Sequence, residues 1–313
     1  MNESQNCYNV YALRFNLEET QRNFLLAYTI TVNGVITFTL NALLILVLVK
    51  TKQTNTPALK VLLYLSMLDV GVSLTVPTVF TVLLSKFANV RNCTTELLLH
   101  FISVFFGHMS GGLGGIIAYD RYARVRYLME YRLVMSERKI NRLILAEAGF
   151  SLFSVLSYAF GALYGVYEIA SSALFTLDCV VMLLICVIYI LTRLTIRKHR
   201  KSANPTIADR MKEVDETIML LSKMVLLSML FCYGSFVLAN TSSFYLYGYT
   251  KTRRGKSWFE FFVILGEMML FTNSAMNAVV FFVINKKAHV FLRKLFSRKE
   301  RIQTIAPVIK AEG

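Results

Sequence analysis

Residues 110–122 read SGGLGGIIAYDRY, a glycine-rich apolar run that stops on Asp120-Arg121-Tyr122. An Asp-Arg pair at the edge of such a run is costly. Each charge costs roughly 2.5–3.5 kcal/mol at the centre of a membrane helix, falling toward its ends. A pair kept at that cost serves something. Outward from it the chain repeats one pattern, with apolar stretches at about 24–49, 58–84, 94–119, 140–164, 170–192, 214–246 and 257–284. Each exceeds the roughly 20 residues that cross a hydrocarbon core. The predicted fold is an all-α membrane protein, a bundle of seven spans over residues 24–284. Residues 1–23 form a polar N-terminal segment and 285–313 an amphipathic helix and tail.

Of the 313 residues 55% are hydrophobic, four are proline, and the formal net charge is +15. The charge lies between the spans, so it calls for no nucleic acid. With the N-terminus outside, 26 of the 34 Lys and Arg fall on the inner side. They are Lys50, Lys52, Lys60 and the clusters 121–142, 193–223 and 286–310. The positive-inside rule therefore places the N-terminus outside and the C-terminus in the cytosol, next to anionic membrane lipids. The group Lys251 to Lys256 departs from that pattern. Residues 1–23 lack a signal-peptide core, which makes the first span the expected signal anchor. Asn2 and Asn92 begin sequons on the outer side. Residues 286–297 put Ala288, Phe291, Leu292, Leu295 and Phe296 on one helical face and cations on the other, as an interfacial helix does.

Polar residues inside the spans narrow the function. Asn41, Asp69, Ser110, Asn273, Ser274 and Asn277 all lie in apolar surroundings. Asp69 is about eleven residues into its span, roughly 16 Å deep. A carboxylate there must be protonated, paired or hydrated within the bundle.

Seven spans with Asp-Arg-Tyr ending the third resemble the rhodopsin-like (class A) G-protein-coupled receptors, from about residue 24 to 297. The resemblance implies a plasma-membrane receptor that converts an extracellular ligand into heterotrimeric G-protein activation, with 286–297 as the eighth helix. It implies Asp69 and Ser110 as sodium ligands, with Asn41, Asn273, Ser274 and Asn277 around them. The alternative is a protonated Asp69 bonded to Asn neighbours, without an ion. Asp120, Arg121, Tyr122, Tyr189, Tyr233, Asn277 and Phe281 take the coupling and activation positions. Asp215 would clamp Arg121 across to the sixth span, or would simply begin a helix, where its charge suits the dipole.

The chain also departs from the family. Span four has no Trp, span five no Pro, Tyr233-Gly234-Ser235 stands for Trp-x-Pro, and Asn277-Ala278-Val279-Val280-Phe281 for Asn-Pro-x-x-Tyr. Without those prolines the later helices would be straighter. The second outer link has no Cys, so Cys7 and Cys93 are the expected disulfide, both facing an oxidising compartment.

Ser103, His108, Asp178, Phe236 and Glu267 would line a ligand pocket. A cationic amine or peptide would offset the cost of Asp178 and Glu267, or these would bond within the protein. No lysine lies between Lys256 and Lys286, so retinal is not expected. No HExxH motif, paired-His cluster or nucleophile–base spacing suggests an enzyme. A non-signalling scaffold or heteromer partner is the main alternative. An ion-coupled transporter ranks below it, since no inverted repeat or broken helix pair appears.

Overall fold

The computed structural model describes residues 17–53, 57–84, 93–127, 130–164, 167–202, 231–232, 234–235, 237–238 and 253–294. Helix α1 runs from Glu19 to Lys50, with a π-helical insert at Thr29–Ile36. It is followed by α2 (Pro57–Leu84), α3 (Cys93–Tyr127), one turn at Tyr131–Val134, α4 (Glu137–Leu163) and α5 (Tyr167–Ser202). Helix α6 (Arg253–Ile284) is the seventh span of the sequence, and residues 286–294 form a short helix, α7. Among the described residues six helices, α1 to α6, are long and apolar enough to cross a membrane. The chain is an all-helical multi-pass membrane protein. The sixth span lies outside the described residues except for 231–232, 234–235 and 237–238, which are helical. Asn2, Cys7, Asn92, Asp215, Tyr233 and Phe236 also fall outside them, as does the side chain of Cys93.

Two helices outrun their apolar stretches. Helix α3 continues past residue 119 to Tyr127, and α5 past 192 to Ser202. The hydrocarbon thickness limits an apolar run, whereas a helix continues wherever its backbone bonds do. Asp120-Arg121-Tyr122 is therefore embedded in α3, two turns before its end.

Lipid tails are as apolar as leucine, so apolar contact alone does not drive these helices together; close packing and interhelical hydrogen bonds do. Both are present. Leu25, Val72, Val76, Phe261, Ile264 and Met268 fill the outer space between α1, α2 and α6. Leu44, Val47, Leu48, Ala278 and Phe281 fill the inner one, joined by Ala288 of α7. Val61, Leu65, Leu113, Ala123 and Ile140 join α2, α3 and α4. A Cβ on Gly71 would lie 3.0 Å from the Phe106 ring, so that glycine sets the approach of α2 to α3.

Hydrogen bonds hold α1 to α6. Thr29, Asn33, Thr37 and Asn41 are all fully buried at a spacing of four. At 3.6 residues per turn that spacing drifts about 40° per step. The wider π turn takes up part of the drift and keeps the row facing α6. Asn33 donates to the Met268 carbonyl at 3.2 Å and accepts from the Thr272 hydroxyl at 3.1 Å, and Tyr28 Oη lies 2.8 Å from the same hydroxyl. At the outer end the Ser257 hydroxyl donates to Gln21 at 2.6 Å.

Replacing Asn33 with Ala removes two of these links, while the Met268 carbonyl keeps the Thr272 hydroxyl as donor at 3.2 Å. We expect a loss of about 1–2 kcal/mol, seen as a lower thermal midpoint of the detergent-solubilised protein. An unchanged midpoint would show that the α1–α6 bonds contribute nothing.

Candidate functional site

Asp69 is the centre of the first cluster. It is fully buried on α2, with Leu65 and Val72 on either side. The Ser110 hydroxyl of α3 donates to its Oδ1 at 2.9 Å, and the Asn277 amide of α6 to its Oδ2 at 3.3 Å. Ser274 also bonds to it. Asn41 of α1 donates to the Ser274 carbonyl at 3.1 Å, while its own Oδ1 is buried with no hydrogen-bond partner among the described residues. Asn273 is buried beside them. One carboxylate thus ties α2 to α3 and α6, and Asn41 adds α1. These six residues come from four different spans, and all six are buried or half-buried.

The second cluster is the Asp-Arg-Tyr triplet. Asp120 is fully buried, and its partners are Tyr131 and Arg124 instead of Arg121. The Tyr131 hydroxyl donates to Asp120 Oδ1, and Arg124 Nε lies 3.3 Å from Oδ2. The Arg124 guanidinium also sits 4.8 Å from the Tyr131 ring centre, at cation–π distance. Arg121 forms no ion pair among the described residues, and its Nε is buried without a hydrogen-bond partner among them. Arg121 as a whole is half-buried, and its guanidinium carries five donors.

Residues 40–162 match the family model described as "7 transmembrane receptor (rhodopsin family)", a segment that holds Asn41, Asp69, Ser110 and the triplet. Over that segment, less than half of its length, the chain is similar to rhodopsin-family receptors. No curated protein matches it in a second comparison. The family is one of signalling receptors and not of enzymes.

Other residues expected in this receptor fall as follows. Tyr189 of α5 is buried against Ala118 of α3, close enough to Arg121 to interact with it electrostatically. Phe281 is buried in the inner core, and Tyr122 is half-buried. In the outer half Ser103 is buried. His108 Nδ1 lies 3.4 Å from Asp178 Oδ1, so Asp178 bonds within the protein. Glu267 is half-buried and has no hydrogen bond or ion pair among the described residues. Phe262 and Tyr164 are exposed; Phe262 lies tilted against Trp258, and Tyr164 stacks on Phe160. Cys179, Cys186 and Cys232 are free thiols.

Two participants were not anticipated. Tyr131 lies in a link, where sequence pattern says little about partners. Glu147 could have been noticed as a lone carboxylate in span four. A Cβ on Gly112 would meet its carboxyl at 2.1 Å, so the missing side chain is the notch that admits Glu147, which also accepts from Ser151 at 3.1 Å. Gly112 is thus a packing glycine in α3 and not a hinge.

Tyr131 lies outside the spans. Burial, together with its bond to Asp120, pushes its phenol up to about 12. A raised value means the bond stabilises fully below the ordinary tyrosine range near 10 and fades as pH rises through about 12. At about pH 10.5 Tyr131 is therefore expected to remain un-ionised while exposed tyrosines have largely titrated. Carbon-13 labelled tyrosine, assigned with Tyr131→Phe, reads this. Ionisation of Tyr131 with the exposed group would mean the Asp120 bond is absent in solution.

Proposed function

We propose that this receptor binds an extracellular ligand, activates a heterotrimeric G protein through the cytosolic end of α3, and stands in the plasma membrane with its N-terminus outside. The observation that carries the reading is Arg121, buried at its Nε and unpaired among the described residues, while Asp120 is occupied by Arg124 and Tyr131. Asp215 supplies the missing acceptor and clamps the sixth span against α3 in the resting state. Releasing it lets that span move outward and opens a G-protein cleft. The basic residues gathered at this end support the cytosolic orientation.

The ligand enters the outer half and is cationic, an amine or a basic peptide. Support comes from the register of α3 and α6. A Cβ on Gly107 would lie 3.4 Å from the Phe271 ring, which sets these two residues at one level. Ser103 and Glu267 each lie four residues nearer the outer end, so they share the level above. Asp178 is already met by His108. Glu267 is the carboxylate left to meet a cation, and Phe236 of the sixth span would close the pocket.

The Asp69 cluster offers oxygen donors only, which suits a hard cation and not a soft one. Among the described residues no three His, Cys, Asp or Glu side chains gather as a metal site. Asn41, bonded to the Ser274 carbonyl, has a buried Oδ1 without a partner among the described residues. Sodium would be held by Asp69 and Ser110, where it would neutralise the carboxylate.

Two measurements test this. An outward-facing N-terminal tag on unpermeabilised cells confirms orientation and surface level. In such cells Asp215→Ala should raise basal nucleotide exchange several-fold, equivalent to about 1–2 kcal/mol of population shift. Unchanged exchange at equal surface level, with a full response to direct G-protein activators, would favour a non-signalling scaffold.

For the ion, the thermal midpoint of purified receptor is compared in sodium and in a bulky organic cation at equal ionic strength. Sodium should stabilise the unmutated protein by about 1–3 kcal/mol, as ligand linkage requires, and should leave Asp69→Asn unaffected. Equal midpoints in both salts for the unmutated protein would make Asp69 a structural residue without an ion.

A further inference from the structure

At the inner end of the bundle two chain segments are fastened together by one pair of amides. Helix α1 ends on Lys50, and Thr51 closes its last turn with backbone and hydroxyl bonds to Val47, at 2.9 and 2.7 Å. Gln53 donates to the Thr51 hydroxyl at 2.6 Å and accepts from the Asn285 amide at 2.9 Å. Asn285 in turn accepts from the Ala288 N–H at 3.1 Å and so caps α7. Fully buried Ala288, with Phe291 and Leu292, seats α7 on Leu44, Val47 and Leu48 of α1. The clasp is therefore fixed from both sides.

Four lysines surround it: Lys50 and Lys52 from one segment, Lys286 and Lys287 from the other. All four are exposed, and none has an ion pair among the described residues. The clasp itself is built from neutral amides and supplies no counter-charge. Lys52 carries a second signal, a backbone φ of 52°. That left-handed position after a helix end is usually filled by glycine or asparagine, because a Cβ is disfavoured there. A lysine held in it keeps a charge where a cheaper residue would fold better, and such outliers point to function. The apolar surface of α1 and α6 stops just before these residues, at Val49 and Val283, so the amines sit at headgroup depth.

We propose that the clasped junction of α1 and α7 is a binding site for a polyphosphorylated phospholipid headgroup, held by Lys50, Lys52, Lys286 and Lys287. Four exposed amines on two segments joined by the Gln53–Asn285 bond match several phosphates on one headgroup better than single charges dispersed over a surface. The short helix α7 supplies the anchor, and Gln53–Asn285 sets the spacing of the two lysine pairs. The site rests on the cytosolic placement of this end proposed above, since such lipids belong to the inner leaflet.

The purified full chain is reconstituted in nanodiscs of phosphatidylcholine with either phosphatidylinositol bisphosphate or phosphatidylserine at equal total charge, and bound lipid is read by native mass spectrometry. The bisphosphate lipid should be retained selectively. The variant K50Q/K52Q/K286Q/K287Q should lose on the order of tenfold affinity. Asn285→Ala keeps every charge but opens the clasp, so it should lose selectivity over phosphatidylserine. Neutralising Arg197 and Lys198, on α5, should change nothing and serves as the control. Equal retention of phosphatidylserine, full binding by the quadruple variant, or complete displacement by a soluble inositol phosphate would each overturn the proposal. The assay reads the lysines whichever way the chain is inserted, so a reversed orientation, found with the N-terminal tag, is distinguishable from an absent site.

Discussion

A carboxylate at mid-membrane depth must find its partners inside the bundle, and Asp69 does so by drawing on helices far apart in sequence. Ser110 and Asn277 reach it from α3 and α6, and the Ser274 carbonyl passes the connection on to Asn41 of α1. An uncompensated charge in that position is expensive enough that the arrangement of four helices follows from satisfying it. The same requirement explains why Asn33 and Asn41 of the buried row reach α6 and not lipid. Polar groups that touch hydrocarbon cost free energy, so their direction fixes the rotation of α1 about its axis.

That rotation carries the register outward and inward. With Ser110 and Asn277 both on Asp69, and Phe271 placed against Gly107, α3 and α6 run in the same direction and are joined through α2. Ser103 and Glu267 then share a level above, and the triplet Asp120-Arg121-Tyr122 lies below. One polar centre thus lies between the level of Ser103 and Glu267 and that of the triplet. A change at either end that shifts α3 against α6 must disturb the bonds at Asp69, which is the physical basis for linkage between the two ends.

Much of this was legible in the chain because membranes simplify the pattern. Six described helices coincide with runs of membrane length, and Asp69, Ser110 and Asn277 stand out as polar residues in apolar surroundings. What failed to show was everything set by rotation or by a link. The His108–Asp178 contact depends on how α3 and α5 turn toward each other, and both open readings of Asp178 were compatible with its depth. Tyr131 and Gln53 lie in links, where no periodicity constrains a partner. The π insert in α1 has no signature in Thr29-Ile30-Thr31-Val32-Asn33, whose β-branched residues suit several backbones. Helix α3 runs past its apolar stretch to Tyr127 because hydropathy marks the edge of lipid and not the last backbone bond.

The missing prolines bear on how such a bundle could move. Helix α5 is helical over 36 residues and α6 over 32, with no proline to free a backbone bond. A proline kink localises bending at one turn; without it, displacement of a span has to occur by sliding or rotation of whole helices at their contacts. Those contacts are uneven. Helix α1 is bonded to α6 at Asn33, Thr272 and Asn41, while the inner half of α3 meets α5 through Ala118, Ile185 and Tyr189, apolar apart from one hydroxyl, the polar His108–Asp178 contact lying farther out. Apolar faces slide at lower cost than hydrogen-bonded ones, because no donor is stranded on the way. The side of the bundle near Arg121 and Tyr189 is therefore the one free to rearrange, with the α1–α2–α6 side as its fixed frame.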